Sequence, residues 1–145
     1  MQRGYQRGQR GSGMRGFTLL ELLLTMAIAV ILMALSYPIY TDFQAHANRQ
    51  HAAAALFQLA ANLENYYLLN NSYQGANDAN MHTTSLSQDL AYQLHIHSVS
   101  DTAYLIEADP IGAQASQDAL CGTLFLDENN VKSISGAGNA QTCWH

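Results

Sequence analysis

Few side chains in this sequence have both the type and the spacing for chemistry. His95 and His97 alternate on one side of an apparent strand, a spacing that can set two imidazoles on one metal ion. No carboxylate or cysteine close by in the sequence completes a ligand set, so the expectation is two surface histidines and no metal. His46 and His51 are set about 140° apart around a helix and do not form a pair. Ser, His and Asp all occur, yet nothing resembles a nucleophile elbow or a glycine-rich phosphate loop, so neither an enzyme nor a cofactor is expected. Cys121 and Cys143 match no zinc or thioredoxin spacing. In an exported domain they read as one disulfide, stabilising by about 3 kcal/mol on the chain-entropy account. In a cytosolic protein they would be two unrelated buried thiols.

The remaining reactive group is Glu21, set inside "MRGFTLLELLLTMAIAVILMALSYP". As a helix at about 1.5 Å per residue, residues 17–37 span the roughly 30 Å of a bilayer's hydrocarbon, and they read as a transmembrane segment. A carboxylate deep in a bilayer costs about 2.5 to 3.5 kcal/mol, less near an interface, so it calls for a partner or a place at the membrane edge, protonated or reaching water. A cleaved secretory signal fits less well, because the run is long and "SYPIY" follows it in place of a small-x-small site.

Charge supports the same orientation. The chain has 145 residues and a formal net charge of −5. Arg3, Arg7, Arg10 and Arg15 precede residue 17 with no acid among them, while beyond Gly16 two basic residues, Arg49 and Lys132, face eleven acids, a net −9. The positive-inside rule puts the N-terminus in the cytoplasm and the bulk of the chain outside. So acidic a body is poorly suited to a phosphate backbone, whose binding relies on Lys and Arg with counterion release, and nucleic acid is not expected as a partner.

The string Gly16-Phe17-Thr18-Leu19-Leu20-Glu21 resembles the processing site of type IV prepilins, in which a basic leader ending in glycine precedes a phenylalanine and a glutamate lies fifth after the cut. The resemblance implies cleavage between Gly16 and Phe17 by a prepilin peptidase, N-methylation of Phe17, and attraction between Glu21 and the positive N-terminus of a neighbouring subunit. It implies as partners other pilin subunits in a helical filament, the peptidase and the pilus assembly platform, with the inner membrane holding the chain before assembly. Afterwards the chain lies in the extracellular pilus or its periplasmic base. Pro38 falls where that family commonly bends its helix. The leader, residues 1–16, is longer than many, and Met14 is a second possible start.

These residues need elements to position them. After Gly16 no glycine occurs until Gly75, and Pro38 is the only proline between, which predicts one helix over 17–70, about 80 Å long if straight. Pro38 lacks a donor and crowds the preceding turn, so a bend or local unwinding is expected near Leu35 to Pro38. Beyond it, Ala52, Leu56, Leu59, Leu63 and Tyr66 form an apolar stripe expected to pack on a globular domain. Ala53, Ala54, Ala55, Phe57, Ala60 and Ala61 widen the apolar surface, and part of this second surface is expected to be buried between subunits.

The stretch "NNSYQGANDANMHTTSLSQD" reads as a long loop. Strands are expected from Tyr92, Leu94 and Ile96, which alternate with Gln93, His95 and His97, and then over 103–108, 121–126 and 131–135. The result is an α+β fold: a long helix laid on an antiparallel sheet of about four strands. The Gly136-Ala137-Gly138-Asn139 tail returns to Cys143. "LENYYLLNNSY" and the "CGTL" to "CW" frame resemble PilE-type minor pilins, in which the cysteine-bounded C-terminal loop faces the filament surface. The expected division is a leader over 1–16, a transmembrane half-helix over 17–37, an amphipathic half over 38–70 and a head over 71–145. A major pilin, a type II secretion pseudopilin, a DNA-uptake pilin and an unprocessed single-pass membrane protein are the alternatives, although major pseudopilins generally lack the cysteine frame.

Overall fold

The structure, a computed structural model, describes residues 17–86 and 91–145, apart from the side chains of residues 37–39 and 85. The expectations placed on the leader, Gly16 included, lie outside the described residues. The chain divides into two compact units, one ending at Tyr37 and the other running Pro38–His145.

Helix α1 is Leu19–Asn70. It begins two residues later than expected because Thr18 caps it: the Thr18 hydroxyl accepts from the Glu21 backbone N–H at 3.2 Å, and the Thr18 carbonyl accepts from Leu22 N–H at 3.2 Å. It ends where the sequence indicates. Asn71 takes a left-handed conformation, φ 55°, and its N–H returns to the Tyr67 carbonyl at 2.7 Å. The backbone is helical through Pro38, so the anticipated local unwinding is not found.

In the first unit the helix is apolar all round. Phe17, Leu19, Leu20, Met26, Val30, Ile31 and Met33 are exposed. Its most apolar window reaches a mean hydropathy of 2.4 with none of it buried in the protein, so by length and composition the helix can cross a membrane. Two hydroxyls in this stretch bond to their own helix, Thr25 to the Leu22 carbonyl at 2.9 Å and Ser36 to the Leu32 carbonyl at 2.8 Å. Both hydroxyls are thereby satisfied within the helix.

The second unit is built on a four-stranded antiparallel meander, in the order β1 (Tyr92–Val99), β2 (Tyr104–Pro110), β3 (Leu124–Asp127) and β4 (Lys132–Ile134). Cross-strand partners place Leu94 opposite Ala108, Ile106 opposite Leu126, and Leu124 opposite Ile134. That register sets Tyr92, Leu94, Ile106, Ala108, Leu124 and Leu126 on one face, where they share a core with Ala52, Leu56, Leu59 and Leu63 of α1. The predicted stripe is therefore the helix's inner face. Ala53, Ala55 and Ala60 also bury in this core, so the part of the second surface left to neighbours is Ala54, Phe57 and Ala61, which stay exposed.

Strand β3 starts at Leu124, later than the expected 121, because Gly122 turns the chain at φ 62°. Strand β2 runs on to Pro110, two residues past the expected end. Pro110 pairs with Tyr92 beyond the point where β3 stops, where its missing donor shortens no inner ladder. Three one-turn helices are additions: α2 (Thr83–Leu86), inside the expected loop, α3 (Ala113–Gln117) and α4 (Ala140–Cys143).

Candidate functional site

Four groups of residues bear on function, and each is positioned by a different part of the fold. Phe17 and Glu21 stand at the start of α1, Phe17 exposed and Glu21 in the first turn. Glu21 makes no ion pair among the described residues, which leaves its carboxylate available to a partner outside this chain. It also has a local role. A carboxylate in the first turn faces the positive end of the helix dipole, worth about 0.3 to 1 kcal/mol, and Thr18-x-x-Glu21 has the spacing of a capping box. That motif was readable in the sequence and is overlooked when Glu21 is considered only for its burial cost.

The outward surface of α1 in the second unit carries Tyr40, Phe43, Ala54, Phe57, Ala61, Leu68 and Leu69, with Leu68 and Leu69 at 80% and 87% exposure. Apolar residues exposed at this density mark a surface that meets another molecule.

Cys121 and Cys143 form a disulfide with their Cα atoms 5.7 Å apart. Around it the chain folds back on itself so closely that side chains are excluded. Gly136 N–H bonds to the Cys121 carbonyl at 3.0 Å and Gly138 N–H to the Leu120 carbonyl at 2.7 Å. A Cβ at Gly136 would stand 2.1 Å from the Leu120 oxygen, so the Gly136-Ala137-Gly138 run is required by the approach of two backbones. Asn139 then caps α4, accepting from Gln141 N–H at 2.8 Å, and delivers Cys143 to its partner.

The two strand histidines do not converge. His95 Nδ1 lies 2.9 Å from an Asp78 oxygen, and His97 Nδ1 lies 3.0 Å from Glu107. A bulge in β1 between Ile96 and Ser98 disturbs the register there, and Asp78 also accepts the Ile96 N–H at 2.8 Å, tying the preceding loop to the sheet edge. Carboxylates distant in sequence are thus close to both rings, but a different one serves each. Among the described residues no group of three or more His, Cys, Asp or Glu side chains could hold a metal ion.

Sequence reasoning missed a buried polar cluster. Arg49 of α1 pairs with Asp118, and Asp118 also accepts from the Tyr92 hydroxyl at 2.5 Å and from the Gln114 amide at 3.2 Å. Gln114 in turn donates to the Ala45 carbonyl at 3.0 Å and accepts from Asn48 at 3.0 Å. Asp118, Gln114 and Tyr92 are buried, so one carboxylate joins α1, β1 and the end of α3. Burial and the hydrogen bond to Asp118 push the Tyr92 hydroxyl pKa up. Only Arg49, the single basic residue of a sparsely charged helix, hinted at this cluster.

Comparison with known proteins follows the same division of the chain. Residues 38–125 match the family described as type IV minor pilin ComP, DNA uptake sequence receptor. Residues 12–37, a span containing Gly16, Phe17 and Glu21, match the prokaryotic N-terminal methylation motif. The fold is similar to the crystal structure of the Neisseria meningitidis non-core minor pilin PilV, at 17% identity and a TM-score of 0.52, covering 66% of this chain and 90% of that one. No curated protein sequence matches the chain.

Proposed function

Since the chain belongs to the type IV minor pilins by its match over residues 38–125, we propose that its helix is the means by which it is processed and built into a filament. Cleavage falls between Gly16 and Phe17 on the cytoplasmic side of the inner membrane, and the new Phe17 amine is methylated. Glu21 then meets the positive N-terminus of a neighbouring subunit, where low dielectric strengthens the attraction. Pro38 belongs to the assembly segment. The assembly platform and the prepilin peptidase are the membrane partners, and the head works as a structural part, with no catalytic step. The observation that carries this reading is the first-unit stretch of α1, apolar all round, whose single acid, Glu21, has no ion-pair partner among the described residues.

The test is intact mass and N-terminal sequencing of the chain from sheared surface filaments and, separately, from membranes. A chain beginning with methylated Phe17 in the sheared fraction is expected, and Glu21→Val should be cut yet stay in the membrane. A chain that keeps Arg15 and Gly16 and never leaves the membrane would overturn the reading.

The matched family's description supports a second reading, a receptor for DNA. Charge places it second: beyond the leader Arg49 is committed to Asp118, which leaves Lys132 the only basic residue without a carboxylate partner among the described residues. Binding of duplex DNA by the full-length chain, weakening steeply as salt rises, would promote it.

A further inference from the structure

Lys132 stands at the start of β4 with its ammonium over two aromatic rings. Its Nζ lies 5.1 Å from the centroid of the Phe57 ring and 5.4 Å from that of Trp144, and the two rings meet edge to face at 6.0 Å. Trp144 is 5% exposed and its indole N–H is held by the Ser133 carbonyl at 3.1 Å, so the surface under the ammonium is fixed. Lys132 itself is exposed and makes no ion pair among the described residues. Beside it opens a cavity of about 350 Å³ lined by Lys132, Ala140, Gln141, Trp144 and His145. A cation resting on aromatic faces keeps its charge while its stem and the rings supply an apolar wall. Such a site suits an anionic group carried on a short hydrocarbon arm.

We propose that Lys132, held on Phe57 and Trp144, receives a carboxylate of the adjacent pilin subunit in the filament. The inference rests on the assembly reading above and names the contact that complements it. Phe57 lies on α1 among the exposed Ala54 and Ala61, so the cation adjoins the helix surface offered to neighbours. Beyond Gly16 the chain carries a net −9, and acidic heads packed side by side repel one another unless a cation is placed between them. A single ammonium matches one carboxylate, whereas a phosphate backbone is gripped by several cations together.

Intact filaments would be treated with a carbodiimide, which joins an amine to a touching carboxylate with loss of water, and the products mapped by mass spectrometry. The expected product links Lys132 to an Asp or Glu of another pilin chain. Lys132→Arg should abolish that link yet leave incorporation unchanged, and Lys132→Glu should lower the amount in sheared filaments about tenfold or more. Phe17 processing and the Cys121–Cys143 disulfide, followed in each variant, report whether the head still folds. Filaments that contain the chain but show Lys132 unlinked and freely labelled by a small amine reagent would overturn this inference alone. So would Lys132→Glu incorporating like the parent, or protection of Lys132 only when duplex DNA is added. Absence of the parent chain from filaments would instead defeat the assembly reading and this inference with it.

Discussion

Asp118 is buried in a small head among three donors: Arg49, Tyr92 and Gln114. Removing one partner of such a set leaves an uncompensated charge, at about 3 to 5 kcal/mol. Asp118→Ala should therefore lower the unfolding free energy by that much in urea melts, while Arg49→Met combined with Asp118→Leu should recover most of the loss. The tyrosines give a second residue-scale expectation. Burial and a 2.9 Å hydrogen bond to Glu64 push the Tyr73 pKa up to about 12, and burial raises Tyr104 as well. A raised folded pKa favours the protonated form. That stability is fully present below the unfolded value near 10 and is lost as pH climbs toward 12. Urea melts should show falling stability between those limits, with a shallower fall in Tyr73→Phe. At this scale the cysteine pair was legible from its own frame, but Asp118 was not, since Arg49 and Tyr92 are distant from it in sequence and meet it only in the fold.

Among the elements, α1 was the easiest to read because its signals are local and repeated: no glycine for some fifty residues and apolar residues at helical spacing. Leu59 lies on that stripe and is fully buried. Leu59→Ala should cost about 2 to 5 kcal/mol in thermal or urea unfolding, whereas Gln58→Ala on the exposed side should change little. Strand β1 was readable by the same logic at a period of two. Its polar face was not, because the bulge after Ile96 and the Asp78 loop decide where each histidine turns. The one-turn helices α2, α3 and α4 escaped notice because too few residues repeat for periodicity to register, and tertiary hydrogen bonds set them.

For the molecule as a whole, the head is closed at its C-terminal end by a disulfide over two touching backbones. Replacing both cysteines by serine should cost about 2 to 5 kcal/mol and reduce the chain recovered from filaments, read by protease resistance and by the sheared fraction. The long apolar N-terminal stretch, the N-terminal methylation motif, the acidic body and the α+β plan were determined by the sequence alone, since each depends on local composition or short-range periodicity. Only the tertiary structure decided which alanines of α1 face the head and which face outward, that Arg49 is spent on Asp118, and that Lys132 rests on Phe57 and Trp144. Those facts depend on residues far apart in the chain being brought within a few ångströms, and the spacing of one-dimensional patterns carries no record of such distances.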